Sequence, residues 1–206
     1  MRKDLVNIKP LQTSFLSCDI EMEKLIKILF IDNQPYSDML KRLLVINSPD
    51  CLDKNNQEYK QIASEMTVQR LRNEGYLSMI PRIRREEHSS LKSSLIIFFD
   101  SFSQNSVSPQ FLDYSLRIDV ICPTDAWEME NYQIRPIKIA GYVDGILQQH
   151  NRDRLIKTGK DGLTGMGDYT FLGCTQHTLN EDLATYMMSY RVVHFSEDKG
   201  ELSLIE

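Results

Sequence analysis

Apolar residues near the start of the chain recur at helical spacing, whereas those in its second half alternate at the spacing of strands. Met22, Leu25, Ile26, Leu29 and Phe30 fall at i, i+3, i+4, i+7 and i+8, one face of an amphipathic helix. Asp19 is placed to cap it, with Glu21 and Glu23 in a first turn where acids oppose the helix macrodipole. A shorter helix is predicted from Pro35, with Tyr36, Met39, Leu40, Leu43 and Leu44 on its apolar face, ending before Asn47-Ser48-Pro49. Beyond the polar loop SPDCLDKNNQ, the positions of Tyr59, Ile62, Ala63 and Met66 predict helix from about Gln57 to Asn73, stopped by Gly75. The stretch YLSMIPRIR then reads as extended, with Pro81 confining it to an edge strand or a connection.

The pattern then changes period. Leu95 to Phe99 is a continuous apolar run with β-branched and aromatic content, as in a strand covered on both faces or placed centrally. After the loop SFSQNSVSPQ, Tyr114, Leu116, Ile118, Val120 and Cys122 point one way while Ser115, Arg117, Asp119 and Ile121 point the other. Pro123 ends that strand, a turn carrying Trp127 follows, and RPIKIAGYVDGIL starts a helix at a proline. Gly141 and Gly145, four apart with Ala140 beside them, suggest close packing of this helix on the sheet. Two further strands, DYTFLGC and ATYMMSYRVVHF, close a β-β-α-β-β order. Between helix and strands, His150 to Gly167 reads as a long Gly-, Lys- and Asp-rich loop suited to interaction.

The expected fold is therefore α+β: an antiparallel sheet of four or slightly more strands, helices on one face, and an N-terminal helical region. A chain of 206 residues buries roughly 70% of the surface its unfolded form exposes, which suits one domain over residues 1–206. Within it, 19–75 would form the helical region and 93–206 the β-β-α-β-β core. With 41% hydrophobic and 26% charged residues, the composition is that of a folded globular chain. A net charge of −5 argues against a protein whose main task is gripping phosphate backbones, and the arginines at 70, 72, 82, 84 and 85 are interleaved with Glu74, Glu86 and Glu87. The four cysteines are scattered and form no CxxC pair, which fits reduced thiols in a cytoplasm. No apolar run approaches the ~20 residues of a membrane span, so no membrane partner is expected.

Chemical motifs are sparse. Pro49-Asp50 followed by Glu58-Tyr59-Lys60 matches the bare PD…ExK pattern of metal-dependent nucleases, in which carboxylates hold a divalent ion and lysine steadies the attacking water. Such carboxylates belong on a strand hairpin, and here they fall in a polar loop and at a helix start, so coincidence is the better reading. The glycines around Lys160 lack phosphate-loop spacing, because Arg154 stands where the first glycine belongs and Asp161 replaces Ser or Thr. Cys174 and His177 form half a zinc site at best, and His88, His150 and His194 are isolated. Asp113, Asp119 and Asp125 flank the long strand without forming a paired-carboxylate motif, and no GxSxG occurs. No catalytic, cofactor-binding or metal residue is assigned, and no cofactor is expected.

The segments SLRIDVICPTDAWEME, RPIKIAGYVDGIL, and GMGDYTFLG with YMMSYRVVHF, taken in order over roughly Leu95 to Phe195, resemble the tail-terminator and tail-completion proteins of tailed bacteriophages. The resemblance implies a non-enzymatic virion protein, assembled in the host cytoplasm, forming a homo-oligomeric ring in the phage neck. Its partners would be portal, connector or tail proteins, with DNA passing through the channel without sequence-specific binding. The acidic balance suits a channel through which DNA must slide. Contact segments are expected in the 123–134 turn and the 150–167 loop, with Trp127, Tyr132, Arg135, Lys160 and Met166 as candidate interface residues, since aromatics and arginine dominate interfaces. The helical region from Asp19 to Asn73 is larger than the simplest terminators carry. A small metal-dependent nuclease using Asp50, Glu58 and Lys60 is the competing expectation.

Overall fold

A computed structural model of the chain describes residues 18–31, 34–79, 92–104, 112–157, 165–178 and 182–195. Four helices come first: α1 (Cys18–Leu29), α2 (Pro35–Val45), α3 (Gln57–Glu65) and α4 (Val68–Asn73). The apolar stripe of α1 is buried at Leu25, Ile26, Leu29 and Phe30, and Asp19 lies within the helix rather than ahead of it. Pro35 opens α2, where a missing N–H costs nothing, and the buried Ser37 hydroxyl donates to the Leu29 carbonyl at 2.9 Å, fixing the turn between α1 and α2. Leu40, Leu43 and Leu44 are buried, whereas Tyr36, expected on that apolar face, is 52% exposed.

The single helix predicted over Gln57–Asn73 is two. Met66 turns inward and leaves helical geometry, and Thr67 then caps α4 by accepting from the Arg70 amide at 3.2 Å. Gly75 stops α4 as expected, at φ +82°, a conformation costly for any residue with a Cβ.

Five strands form the main sheet in the order β1-β2-β3-β7-β6: β1 (Leu77–Ser78), β2 (Ser94–Gln104), β3 (Leu112–Pro123), β6 (Gly165–Thr178) and β7 (Leu183–Phe195). The pairs β2–β3, β3–β7 and β7–β6 are antiparallel, as expected. β1 adds a parallel edge through Leu77 and Leu95, which makes the sheet mixed, while Pro81 lies outside the described residues. β2 runs to Gln104, past the expected end at Phe99, because Phe99 and Phe102 both pack on Tyr114. Tyr114, Leu116, Ile118, Val120 and Cys122 are buried on one face of β3, against the helices. On the opposite face Ile96, Ile121 and Leu183 form a small cluster with Phe98, and Arg117 sits over the Phe98 ring while pairing with Asp119 at 2.8 Å.

The helix α5 (Arg135–Lys157) covers the sheet and runs about ten residues beyond Leu147, through half of the expected His150–Gly167 loop. Its apolar stripe of Ile139, Val143, Ile146 and Leu147 is buried, and its polar continuation is held by side-chain amides. Asn151 Oδ1 accepts from the Tyr169 amide at 2.9 Å and its Nδ2 donates to the Tyr169 carbonyl at 3.0 Å, which clamps the helix to β6. Nearby the Tyr190 hydroxyl donates to Asp144 at 3.0 Å, and burial beside that carboxylate pushes the phenol pKa far up. One hydrophobic cluster runs from Leu25 and Leu44 through Leu95 and Ile118 to Val143 and Tyr190, so helical region and sheet share it.

Candidate functional site

The turn between β3 and α5 carries three of the candidate residues and gives each a different fate. It begins with a helical turn over Thr124–Ala126, continues as a two-stranded hairpin of β4 (Glu128–Met129) and β5 (Gln133–Ile134), and enters α5 directly. Trp127 is half-buried, with its ring 6.0 Å from that of Tyr186 and its Nε1 donating to the Cys122 carbonyl at 3.4 Å, so it closes the end of the sheet.

Arg135, expected as an interface anchor, is instead wholly inside the chain, at 0% exposure. Its guanidinium donates to the carbonyls of Ala126 (2.8 Å), Leu43 (3.0 Å), Ile46 (2.6 Å), Asn47 (2.9 Å) and Ser48 (2.7 Å). Two of these, Leu43 and Ile46, belong to the C-terminal end of α2, whose last carbonyls lack intrahelical partners and which the helix dipole makes negative, and Asn47 and Ser48 follow directly in the loop. Carbonyl dipoles thus take the place of a counter-carboxylate. Arg42, also buried, donates from Nη2 to the Asp53 carbonyl at 2.5 Å, so two arginines fasten the 46–53 loop.

Tyr132 is fully exposed at the tip of the hairpin. Asn131 and Tyr132 both have positive φ, +60° and +59°, as in the tight turns whose twist matches a hairpin. Asn tolerates that conformation, whereas a tyrosine at the position usually given to glycine costs about 1 kcal/mol or more. Among the described residues no contact offsets this cost, since the ring meets solvent. Lys160 lies outside the described residues. Met166 is on β6, paired with His194 in the sheet.

Beside this hairpin lies a groove of about 770 Å³ along the outer side of α5, lined by Tyr36, Ile137, Gly141, Tyr142, Gly145 and Arg152 among others. The two glycines do not pack on the sheet as expected. A Cβ added at either would meet nothing within 4 Å, because the buried stripe of Ile139, Val143 and Ile146 turns the glycines to the opposite side of the helix. The rings of Tyr36 and Tyr142 meet at a 50° tilt, 6.0 Å apart, on one wall, and Ile137 is half exposed at the rim. Lys138 and Arg152 give the groove positive charge, and no carboxylate is among its described lining residues. The i, i+4 repeat of Ile137, Gly141 and Gly145, set against the buried stripe, was the sequence signal for this outer face.

The nuclease pattern does not assemble. Asp50 accepts from the Ser48 hydroxyl and from Tyr59 Oη at 3.0 Å, and these hydrogen bonds, Ser48 first, hold its carboxyl below the usual range. Glu58 and Lys60 are exposed on α3, a helix where the motif needs a strand. Among the described residues no three His, Cys, Asp or Glu side chains group to hold a metal ion. Cys174 and His177 stand an odd number of residues apart on β6, with no bulge between them, and so point to opposite faces. Burial pushes the thiols of Cys51 and Cys174 up and that of Cys122 to about 11, away from the thiolate that nucleophilic chemistry needs.

No helix of the described residues is long and apolar enough to cross a membrane. No curated protein matches the chain. The YomW family model matches residues 37–192, from near the start of α2 to near the end of β7, which take in the hairpin, the buried Arg135 and all of the groove's lining named above except Tyr36. By that match over most of its length, the chain belongs to the YomW family, a phage-derived family of the Bacillus phage SPbeta-like kind.

Proposed function

We propose that this phage-encoded chain is a structural virion protein that assembles into a ring at the neck, where portal or connector meets tail. The observation that carries the reading is the architecture of the sheet. Helices cover one face, and β6 forms a 14-residue edge with Phe171 and Leu172 44% and 61% exposed. An edge strand offers unpaired backbone groups to a neighbour, and a head-to-tail contact that closes by rotation makes a ring. The buried thiols of Cys51 and Cys122, the Asp50 carboxylate held by Ser48 and Tyr59, and the membership of a phage-derived family support a scaffolding role over a catalytic one. An acidic chain is also suited to lining a passage for DNA.

The test is placement in the particle. Antibody labelling of purified virions should mark the head–tail junction, and particles lacking the protein should show heads and tails unjoined. Complete virions without the protein, with label absent from the junction, would remove the reading. Magnesium-dependent cleavage of DNA by the purified chain, lost in Glu58→Ala, would replace it with the nuclease.

A further inference from the structure

The α5 groove and the β4–β5 hairpin adjoin on one surface, since Lys138 and Tyr142 border both the groove and the cavity at the base of the hairpin formed with Glu130, Asn131 and Gln133. They are also complementary. Among its described lining residues the groove carries Lys138 and Arg152 and no carboxylate, whereas the hairpin presents the exposed Glu128 and Glu130 around the fully exposed Tyr132. Among the described residues, none of Lys138, Arg152, Glu128 and Glu130 makes an ion pair through its side chain.

We propose that two copies of the chain pair through this surface, their α5 helices packed antiparallel across Gly141 and Gly145, with the hairpin of each seated on the Arg152 end of the other. The spacing along α5 carries the geometry. A two-fold axis passing near Val143 sets Gly141 of one copy against Gly145 of its partner, where absent side chains let the helix backbones approach closely. The same axis sets the hairpin, just beyond the N-terminal end of α5, opposite Arg152, which lies about 14 Å from the centre in the other direction. Glu130 then meets a guanidinium rather than its own kind, and Tyr132 lies over the glycine-floored groove against Gln148. Because knob and groove share one face, the contact is self-complementary and closes at two copies. It is separate from the ring proposed above, whose head-to-tail contact is at the β6 edge.

Sedimentation velocity on the full chain over a concentration series is the test. The wild type should pass from monomer to dimer. Tyr132→Gly and Gly145→Lys should each weaken the dimer by about tenfold or more while the melting temperature holds or rises, because one relieves the positive-φ strain and the other replaces a helical glycine over open space. Arg152→Glu and Glu130→Arg should each fail to dimerise alone, and an equal mixture of the two should dimerise, since both contacts of the mixed pair are then complementary. A chain that stays monomeric throughout, variants that associate like the wild type, or a mixture that fails to pair would each overturn the proposal. A larger ring unaffected by these substitutions would overturn it as well, while leaving the neck reading to its own test.

Discussion

Arg135 illustrates how far a residue's chemical type is from its role. An arginine beside aromatics on a turn reads as an interface anchor, yet here five backbone carbonyls enclose it and it joins α2 to the segment before α5. Arg135→Ala would leave the buried Leu43, Ile46 and Ala126 carbonyls without this donor, and Arg135→Lys cannot reach all of them from one ammonium. Thermal or denaturant unfolding should show a loss of about 3 kcal/mol or more for alanine, and a smaller loss for lysine. Asp50 offers a pH-dependent counterpart. Its folded pKa is lowered, so its contribution is present above the unfolded value of about 4 and is lost as the pH falls through the folded one. The melting-temperature gap between wild type and Asp50→Asn should therefore be open near neutrality and close on acidification. Neither role was legible in the sequence, because carbonyls and hydroxyls from distant segments leave no local pattern.

At the scale of elements, apolar periodicity located α1, α2, the buried half of α5 and the long strands β3 and β7. It failed where tertiary contacts outweigh local composition. The polar stretch from His150 has no apolar stripe, and its helix persists because Asn151 exchanges two hydrogen bonds with the backbone of Tyr169 on β6. Asn151→Ala should cost about 1–2 kcal/mol and speed hydrogen exchange at the Tyr169 amide and in the last turns of α5, with the first turns unchanged. The break between α3 and α4 was similarly hidden, since Met66 keeps the helical spacing while burying itself against the core. The outward face of Gly141 and Gly145 was marked by spacing, but whether small residues face a sheet or a groove depends on which side of the helix the core claims.

For the whole molecule, the hydrophobic cluster that joins α1 and α2 to the sheet and α5 makes the helical region and the β-β-α-β-β part depend on each other. Heat unfolding followed by Trp127 fluorescence, the chain's single tryptophan, and by far-ultraviolet circular dichroism should therefore give coincident transitions. Two separated transitions would mean that the helices and the sheet unfold on their own. The sequence by itself determined the α+β class, the antiparallel core of the sheet and the stop at Gly75, because these follow from periodicities and backbone preferences that neighbouring residues express. Only the tertiary structure decided that Arg135 is interior, that α5 runs on to Lys157 and that its glycines floor an open groove. Those outcomes depend on partners far away along the chain, and such contacts exist only once the elements have packed.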